Sequence, residues 1–433
     1  MTEINMKEYS EFVDKLHVEY KAFRSAPKST WHEKATRYVN GLAADELRRL
    51  VSLETRREYG AFFTDSLLAE KVLQLLKPSF TGNSFIYDAA CGAGNLLIAV
   101  SDYIKKLNIN FDGTTHLLGT DIHNEFVEAA KIRLQINGLL KQSNSANPKH
   151  TPKLSKEYSI VAGDGLLPNN FYKKATHIFV NPPFNQIVAD DKLSWSKGKV
   201  SAAALFIDKI IQHSNPGTII IAILPDVLRS GTRYEKWRAM VEKECTIEKT
   251  KLLGQFDKYA DVDVYAVMMT KREKAVTGIT TGKKANAENT NHPKTIGDMF
   301  DVCVGPVVDN RDVKEGPSLP YIISRGLQGW SVQTDVALTR QHQGKSFESP
   351  FVVIKRTSRM GDINRAVATI INIPTPVYVD NHLIILKPKS GEICDCQKAL
   401  TILKNNRTHN WLNEEIRCRH LTVKVVSAIP ILK

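Results

Sequence analysis

A short apolar run that ends in two prolines is the feature that most restricts how this chain can fold. Residues His177–Val180 read H-I-F-V, a pattern typical of a buried strand. The next four residues, Asn-Pro-Pro-Phe at positions 181–184, end the strand. Pro182 has no N–H for a strand ladder, and Pro183 keeps Pro182 out of the helical region. The backbone at this point is therefore stiff and extended, and its carbonyl groups can accept hydrogen bonds.

The turn brings together an amide oxygen from Asn181, a rigid carbonyl from Pro182 and an aromatic face from Phe184. In an open α/β sheet, the carboxyl ends of the strands form the edge that binds ligands. Two acceptors and a ring suit a planar group that carries an exocyclic NH₂ group. The same four residues also describe an ordinary turn beside a core phenylalanine, so the interpretation depends on the segments upstream.

A glycine turn between a predicted strand and a predicted helix lies at residues 85–97, which read F-I-Y-D-A-A-C-G-A-G-N-L-L. Gly92 and Gly94 permit close approach of a ligand to the backbone, and Asp88 places a carboxylate at the strand end. The turn lacks the G-K-[ST] of a P-loop. Leu97 occupies the position of the third glycine of the dinucleotide motif. An acid ahead of the turn favours a cationic ligand over a pyrophosphate.

Two further predicted strands end in acids. Residues 117–122 read L-L-G-T-D-I and residues 160–165 read I-V-A-G-D-G, which places Asp121 and Asp164 at strand ends. An acid after the second strand binds ribose hydroxyls in nucleotide-binding α/β folds, and Asp164 could accept from an adenine amino group. The turn at Phe63-Thr64, before a predicted helix at 66–76, offers a hydroxyl and free N–H groups that can hold a carboxylate.

The ordered motifs closely resemble those of the N6-adenine DNA methyltransferases of bacterial restriction-modification systems. The motifs are F-F-T at 62–64, D-A-A-C-G-A-G-N-L-L at 88–97, G-T-D-I at 119–122, G-D-G at 163–165 and N-P-P-F at 181–184. The glycine motif precedes N-P-P-F, as in the gamma subgroup, whose target-recognition domain comes last. The resemblance covers roughly residues 55–272. It departs from the family pattern at Asp65, where proline usually follows F-T.

The resemblance implies a site-specific enzyme that transfers the methyl group of S-adenosylmethionine to an adenine flipped out of double-stranded DNA. The ammonium and sulfonium of this cofactor fit an acidic site. The implied catalytic residues are Asn181, Pro182, Pro183 and Phe184. The implied cofactor-binding residues are Phe63, Thr64, Asp88, Ala89, Cys91, Gly92, Gly94, Asn95, Asp121, Ile122, Asp164, Gly165 and Asn181.

A length of 433 residues predicts two or three domains. We expect a helical N-terminal region at 1–55 and an α/β, Rossmann-like S-adenosylmethionine-dependent methyltransferase domain at 56–272. Two strands between Phe256 and Thr270, meeting at 261–263, would close its sheet. Residues 273–294 are polar and predict a linker or loop. Short apolar runs beyond it predict a mostly β C-terminal target-recognition domain at 295–433.

The net charge of +13 and the pI near 9.3 favour a polyanionic partner such as DNA. Residues 291–433 hold 19 lysines and arginines against 13 acids. Basic side chains after predicted strands are candidates for phosphate contacts, although solvated basic loops have the same composition. These candidates are Lys197, Lys199, Lys355, Arg356, Arg359 and Arg365.

Several functional classes remain open or are disfavoured. The six cysteines have no framework spacing, and C-x-C at 394–396 is a weak zinc signal, so we expect reduced thiols and no metal. Without a signal peptide or a long apolar run, we expect a cytoplasmic bacterial protein with no membrane partner. No nuclease motif is present, so a separate restriction endonuclease or specificity subunit is a candidate partner. Methylation of RNA or protein glutamine and a non-enzymatic DNA-binding role are the alternatives.

Overall fold

The computed structural model describes residues 7–141, 157–188, 193–256, 262–273, 294–358, 362–416 and 420–431. The chain forms two compact units. The first comprises Met1–Leu228 and Tyr234–Gly282, and the second comprises Arg229–Arg233 and Lys283–Lys433. The predicted N-terminal region and methyltransferase domain fall mainly in the first unit. The predicted linker at 273–294 lies outside the described residues except at its two ends.

The first unit combines a mixed sheet with helices on both faces. Its strands are β1 (Ile86–Asp88), β2 (Leu117–Asp121), β3 (Ser159–Ala162), β4 (His177–Val180), β5 (Gln186–Val188), β6 (Lys199–Ser201), β7 (Ile219–Pro225), β8 (Cys245–Gln255) and β9 (Asp263–Lys271). Its helices are α1 (Ser10–Ser25), α2 (Lys28–Val39), α3 (Leu42–Leu50), α4 (Leu53–Tyr59), α5 (Ser66–Leu76), α6 (Asn95–Lys106), α7 (Gly113–His116), α8 (Asn124–Lys141), α9 (Asn170–Lys174), α10 (Ala202–His213), α11 (Asp226–Ser230), which continues into the second unit, and α12 (Glu235–Glu244). Two 3₁₀ turns occupy Lys7–Tyr9 and Thr232–Tyr234.

The main sheet has the strand order β3-β2-β1-β4-β7-β9-β8. The first five strands are parallel, whereas β9 runs antiparallel to both β7 and β8. The strand order reverses between β1 and β4, and ligands of open α/β sheets bind at the carboxyl ends of the strands beside such a reversal. The acids at the ends of β1 and β2 and the Asn-Pro-Pro-Phe turn after β4 therefore meet at one edge.

The central strands are buried on both faces, and their side chains alternate between two hydrophobic cores. Phe179 packs in one core with the N-terminal helices, α5, α6 and α8. Ile178 and Val180 pack in the other with α10 and α12. These continuous apolar strands explain why the sequence predicts the α/β fold class, which is confirmed.

The antiparallel end of the sheet differs from the sequence prediction. The first of its two strands is β8 at Cys245–Gln255, and only β9 at Asp263–Lys271 overlaps the predicted segment of 256–270. Most side chains of β8 are exposed or half-buried, and lysines and a glutamate interrupt its apolar residues. The strand therefore carries no clear apolar alternation that the sequence could reveal.

The second unit is mostly β. Its strands are β10 (Phe300–Val304), β11 (Ser318–Ile322), β12 (Val332–Gln333), β13 (Thr339–Gln341), β14 (Phe351–Lys355), β15 (Ala368–Ile371), β16 (Tyr378–Val379) and β17 (Leu383–Pro388). Its further helices are α13 (Ile296–Met299), α14 (Ile393–Lys404), α15 (Asn406–Glu415) and α16 (Val423–Ser427). A five-stranded sheet, β10-β17-β14-β15-β12, packs one face against the helices and the other against a second apolar cluster. In the described part of the chain, no helix has both the length and the apolar character needed to span a bilayer.

Candidate active site

The glycine turn after β1 is held in place by the end of β2. The Cys91 N–H donates to the Thr120 carbonyl at 3.0 Å. The Asp121 carboxylate accepts from the Gly92 N–H at 2.8 Å and from the His123 N–H at 3.0 Å. Asp121 therefore orders the turn as well as placing a carboxyl group beside it.

Gly92 has φ +50°, in the left-handed region that favours glycine. A Cβ atom at this position would lie 2.8 Å from the ring of Phe63. The close approach of Phe63 to the turn thus depends on the missing side chain, and it brings the segment before α5 against the carboxyl end of β1.

A cavity of about 290 Å³ opens at this edge, near the lower limit of ordinary ligand sites. Among the residues predicted from the sequence, those that line it are Phe63, Ala89, Gly92, Asp121, Ile122, Asp164, Gly165, Asn181 and Pro183. The other predicted residues near it do not line it: Thr64, Asp88, Cys91, Gly94, Asn95, Pro182 and Phe184. The sequence motifs therefore supply both the wall of one cavity and the groups beside that wall.

Burial perturbs the titratable groups beside this cavity. It raises the pKa of Asp88 to about 8, and the nearby Asp121 carboxylate adds to the shift. Burial also raises the pKa of Asp121 and that of the Cys91 thiol. The Asp88 carboxylate accepts from the Ala90 N–H at 3.0 Å, so it supports backbone that lines the cavity. A cation in the cavity would stabilise the ionised form of both acids.

The segment at residues 62–65 is tied to the glycine turn and to the strand β4. The Asn95 Nδ2 donates to the Thr64 carbonyl at 2.5 Å, and the Asn181 Nδ2 donates to the Thr64 Oγ1 at 2.9 Å. Asp65 caps α5, because its carboxylate accepts from the Leu68 N–H at 2.7 Å. The aspartate that departs from the family pattern thus starts the helix by a side-chain cap.

The Asn181 amide has one group with a partner and one without. While Nδ2 is bonded to Thr64, the Oδ1 atom is buried and has no hydrogen-bond partner among the described residues. In the same part of the chain, no backbone N–H donates to the carbonyl of Pro182. The ring of Phe184 is half-buried and meets Phe256 edge-on, with ring centroids 5.3 Å apart.

Sequence reasoning missed a group of residues that also line the cavity: Tyr59, Gly60, Ala61, Phe62, Ala90, His123, Phe126, Leu166, Asn185, Ile187, Ala202 and Phe206. Most are apolar and look like core residues in the sequence. Gly60 is the exception, because it ends α4 with φ +65° and a Cβ there would lie 2.4 Å from the Cβ of Pro183. A glycine directly after a helical aromatic residue is a recognisable helix end, but its contact with Pro183 is not visible in the sequence.

A sequence profile of the N-6 DNA methylase family matches residues 47–290, more than half of the chain. The chain belongs to this family. Membership identifies a DNA methyltransferase and implies S-adenosylmethionine as its cofactor. No curated protein matches the sequence.

Solved structures match this chain at low sequence identity. The type IIL restriction-modification enzyme MmeI, in complex with DNA, aligns with a TM-score of 0.58 and 11% identity over 89% of this chain and 70% of MmeI. The type IIG restriction endonuclease BpuSI aligns with a TM-score of 0.44 and 15% identity over 89% of this chain and 61% of BpuSI. The M protein of the type I restriction enzyme EcoKI aligns with a TM-score of 0.38 and 16% identity over 62% of this chain and 63% of the M protein. The chain thus spans less than two thirds of BpuSI and of the EcoKI M protein.

The residues predicted to contact DNA differ from one another in their environments in the structure. Lys197 and Lys199 are exposed on the β5–β6 hairpin, and Lys355 is half-buried at the end of β14. Arg356 is half-buried, and its Nη1 donates to the Asn381 carbonyl at 3.4 Å. Arg359 lies outside the described residues.

Arg365 does not fit the predicted role of a phosphate contact. Its side chain is 1% exposed. The guanidinium donates to the Ser358 Oγ at 3.3 Å and to the carbonyls of Leu412 and Ile416 at the end of α15. Arg365 therefore stabilises a helix C-terminus inside the second unit, and we exclude it from the proposed DNA contacts.

The cysteines are free thiols at the described positions 91, 245, 303, 394 and 396. Within the described ranges, no group of three or more histidines, cysteines or acids could hold a metal ion.

Proposed function

We propose that this chain is an N6-adenine DNA methyltransferase of the gamma subgroup and the N-P-P-F type, acting on an adenine flipped out of double-stranded DNA. The Oδ1 of Asn181, which is buried and has no hydrogen-bond partner among the described residues, carries the proposal. An unpaired buried acceptor is unfavourable unless a ligand supplies the donor. The exocyclic amine of adenine supplies two N–H donors, and flipping is needed because the stacked base is out of reach of an enzyme site.

The proposed catalytic step relies on positioning. The Asn181 Oδ1 and the Pro182 carbonyl accept the two N6 hydrogens, which draws the nitrogen lone pair out of conjugation with the ring. Phe184 stacks on the flipped base, and Pro183 keeps the turn extended. The step requires no strong base before attack, so orientation and electrostatic stabilisation account for the catalysis.

The residues around the cavity fit S-adenosylmethionine, which supplies an electrophilic methyl group on a sulfonium. We assign Gly92, Gly94 and the Phe63-Thr64 turn to the methionine end, Asp121 to the ribose and Asp164 to the adenine. Support comes from the acids beside the cavity, because a bound cation stabilises their ionised form against the pKa increase that burial causes. It also comes from the apolar side chains of Ile122, Leu166 and Phe206, which can pack on an adenine ring.

We further propose that residues 295–433 read the DNA sequence, with Lys355 and Arg356 contacting phosphates. Base pairs are distinguishable in the major groove, and the capture of one adenine does not identify the base pairs around it. The competing hypothesis is a modification subunit that needs a separate specificity subunit. Footprinting with the purified chain separates the two: protection of one preferred site supports recognition by this chain, and uniform or absent protection supports the subunit.

The experiment that tests the function is single-molecule sequencing of DNA from a methylation-free host that expresses the chain. We expect N6-methyladenine at one recurring sequence, and none with Asn181→Ala. Tritium transfer from labelled S-adenosylmethionine to DNA, RNA and protein tests the alternative substrates. Label that accumulates in RNA or in a protein glutamine while DNA stays unlabelled would refute the proposal, and no S-adenosylmethionine binding at all would favour a non-enzymatic DNA-binding protein.

A further inference from the structure

Asn185, directly after the Asn-Pro-Pro-Phe turn, shares an unusual feature with Asn181. Both residues line the same cavity. In each, the side-chain Oδ1 is buried and has no hydrogen-bond partner among the described residues. A buried amide oxygen without a donor is uncommon in native proteins and calls for a specific explanation.

The orientation of the Asn185 amide is fixed by its donor. The Nδ2 donates to the Glu58 carbonyl at 2.9 Å. A carbonyl oxygen can only accept, so the amide nitrogen must face Glu58 and the amide oxygen must point elsewhere. Asn181 is oriented in the same way, because its Nδ2 faces the Thr64 hydroxyl at 2.9 Å and the Phe62 carbonyl at 3.5 Å.

One segment, residues 58–64, therefore orients both amides. It runs from the end of α4 to the start of α5, and Tyr59, Gly60, Ala61, Phe62 and Phe63 within it line the cavity. This arrangement holds two nitrogens by protein acceptors and leaves two oxygens without a donor among the described residues.

The rest of Asn185 is also held in place. Its backbone carbonyl accepts from the Ala202 N–H at 2.9 Å, which joins the turn after β4 to the start of α10. The Oδ1 atom lies beside Gly60, where an added Cβ would approach it to 3.3 Å. With the backbone carbonyl and Nδ2 both engaged, the Oδ1 atom, which has no partner among the described residues, is available to a ligand.

We propose that Asn185 is a second positioning residue of this site, whose Oδ1 accepts an N–H or O–H from a ligand in the cavity. The inference rests on the function proposed above. S-adenosylmethionine carries such donors in its ammonium and ribose hydroxyls. The flipped adenine does not supply one, because Asn181 and Pro182 accept both of its N6 hydrogens. Either group of the cofactor would satisfy an oxygen that has no partner among the described residues.

The test uses two variants of the full chain. Asn185→Ala removes both the amide nitrogen and the oxygen. Asn185→Asp keeps an oxygen acceptor but cannot donate to the Glu58 carbonyl at neutral pH. Because both variants lose the bond to Glu58, the loss of that bond cannot explain a difference between them. The control is Asn215→Ala, which removes an exposed amide that donates to the Lys173 carbonyl at 2.7 Å and does not line the cavity.

Two measurements distinguish a contact with the cofactor from a role in the chemical step. Calorimetry without DNA gives the dissociation constant for S-adenosylmethionine, and single-turnover methylation at saturating cofactor and DNA gives the rate of the chemical step. We expect Asn185→Ala to raise the dissociation constant by at least about tenfold. We expect Asn185→Asp to be less impaired and Asn215→Ala to be unchanged. A weaker cofactor complex supports the proposal, and a slower step at saturation with wild-type cofactor affinity contradicts it.

Two outcomes would overturn the proposal. The first is wild-type affinity for S-adenosylmethionine in Asn185→Ala, whatever its rate. The second is equal impairment of Asn185→Ala and Asn185→Asp, because the lost bond to Glu58 would then explain both defects. Failure of the proposed function looks different: the wild-type chain would bind S-adenosylmethionine without methylating DNA, and the calorimetric comparison would still report on Asn185.

Discussion

Replacing Arg133 should disturb both the N-terminal helices and the cofactor site. Arg133 lies on α8 with no exposed surface. Its Nε donates to the Tyr38 carbonyl at 2.8 Å and its Nη2 to the Val39 carbonyl at 2.7 Å, so it binds carbonyls at the C-terminus of α2. Its Nη1 donates to the Asn95 Oδ1 at 2.5 Å and also to the Ala93 carbonyl in the glycine turn. One side chain thus joins α2 to the turn that lines the cavity.

The size of the effect follows from these contacts. A hydrogen bond to a charged group contributes about 1.5–3 kcal/mol, and a buried carbonyl left without a donor costs about 1–3 kcal/mol. Burial of the guanidinium is itself unfavourable, as shown by the pKa of Arg133, which burial lowers to about 10. Removing the guanidinium also removes this cost, which offsets part of the loss. Because these contributions are not additive, we expect Arg133→Met to lose roughly 3–5 kcal/mol of stability in this region.

Hydrogen–deuterium exchange read by mass spectrometry is the appropriate assay, since it resolves the region and uses strands of the second unit as an internal reference. We expect faster exchange in α2 and in residues 91–95 of Arg133→Met, and weaker binding of S-adenosylmethionine by calorimetry. Arg133→Lys keeps the charge but not the planar group of donors, so its loss should be intermediate. Wild-type exchange in both segments of Arg133→Met would refute the structural role.

Three further outcomes are expected. Phe184→Ala should weaken capture of the flipped base by roughly 1–3 kcal/mol, and an unchanged 2-aminopurine flipping signal would contradict this. Asp121→Ala should weaken S-adenosylmethionine binding by roughly 1.5–3 kcal/mol, because it loses the ribose contacts and frees the Gly92 N–H; an unchanged calorimetric constant would mean that the ribose lies elsewhere. Lys355→Glu with Arg356→Glu should weaken binding to all DNA sequences and reduce its salt dependence, and a change confined to one sequence would instead indicate base contacts.

The sequence predicted the sheet edge because each of its signals is local. A buried strand followed at once by an acid, a glycine turn or a proline pair can be recognised from about ten residues of sequence. The parallel arrangement then brings Asp88, Asp121, Asp164 and Asn181 to the same edge. The ends of β1, β2, β3 and β4 could therefore be predicted from sequence, together with many of the residues that line the cavity.

Contacts between distant segments could not be predicted. Arg133 and Arg365 both bind carbonyls at helix C-termini, at separations of 95 and 51 residues. In the sequence, neither can be distinguished from an arginine on the surface, and Arg365 was for that reason predicted to contact DNA. Asn185 was missed for the same reason, since its partner at Glu58 is 127 residues away.

The acids beside the cavity lead to a final prediction, that binding of S-adenosylmethionine releases a proton. The pKa of Asp88 is raised from 3.8 to about 8 by burial, so this carboxyl is mostly protonated at pH 7 in the free protein. A cation in the adjoining cavity stabilises the carboxylate and lowers its pKa. Between the lowered pKa and about 8, binding therefore releases protons, and the affinity should increase with pH until it levels off near 8.

Calorimetry at pH 7 in phosphate and in Tris measures the released proton, because the two buffers differ in ionisation enthalpy. We expect the apparent binding enthalpy to differ between the buffers in the sense of proton release, and we expect Asp88→Asn to reduce that difference. The same raised pKa predicts that the free energy of unfolding of the free protein falls from about pH 4 to about pH 8, since the unfolded carboxyl loses its proton first. Asp88→Asn should flatten that fall. Equal enthalpies in both buffers, or proton uptake, would mean that the charge of the cofactor does not lower the pKa of Asp88.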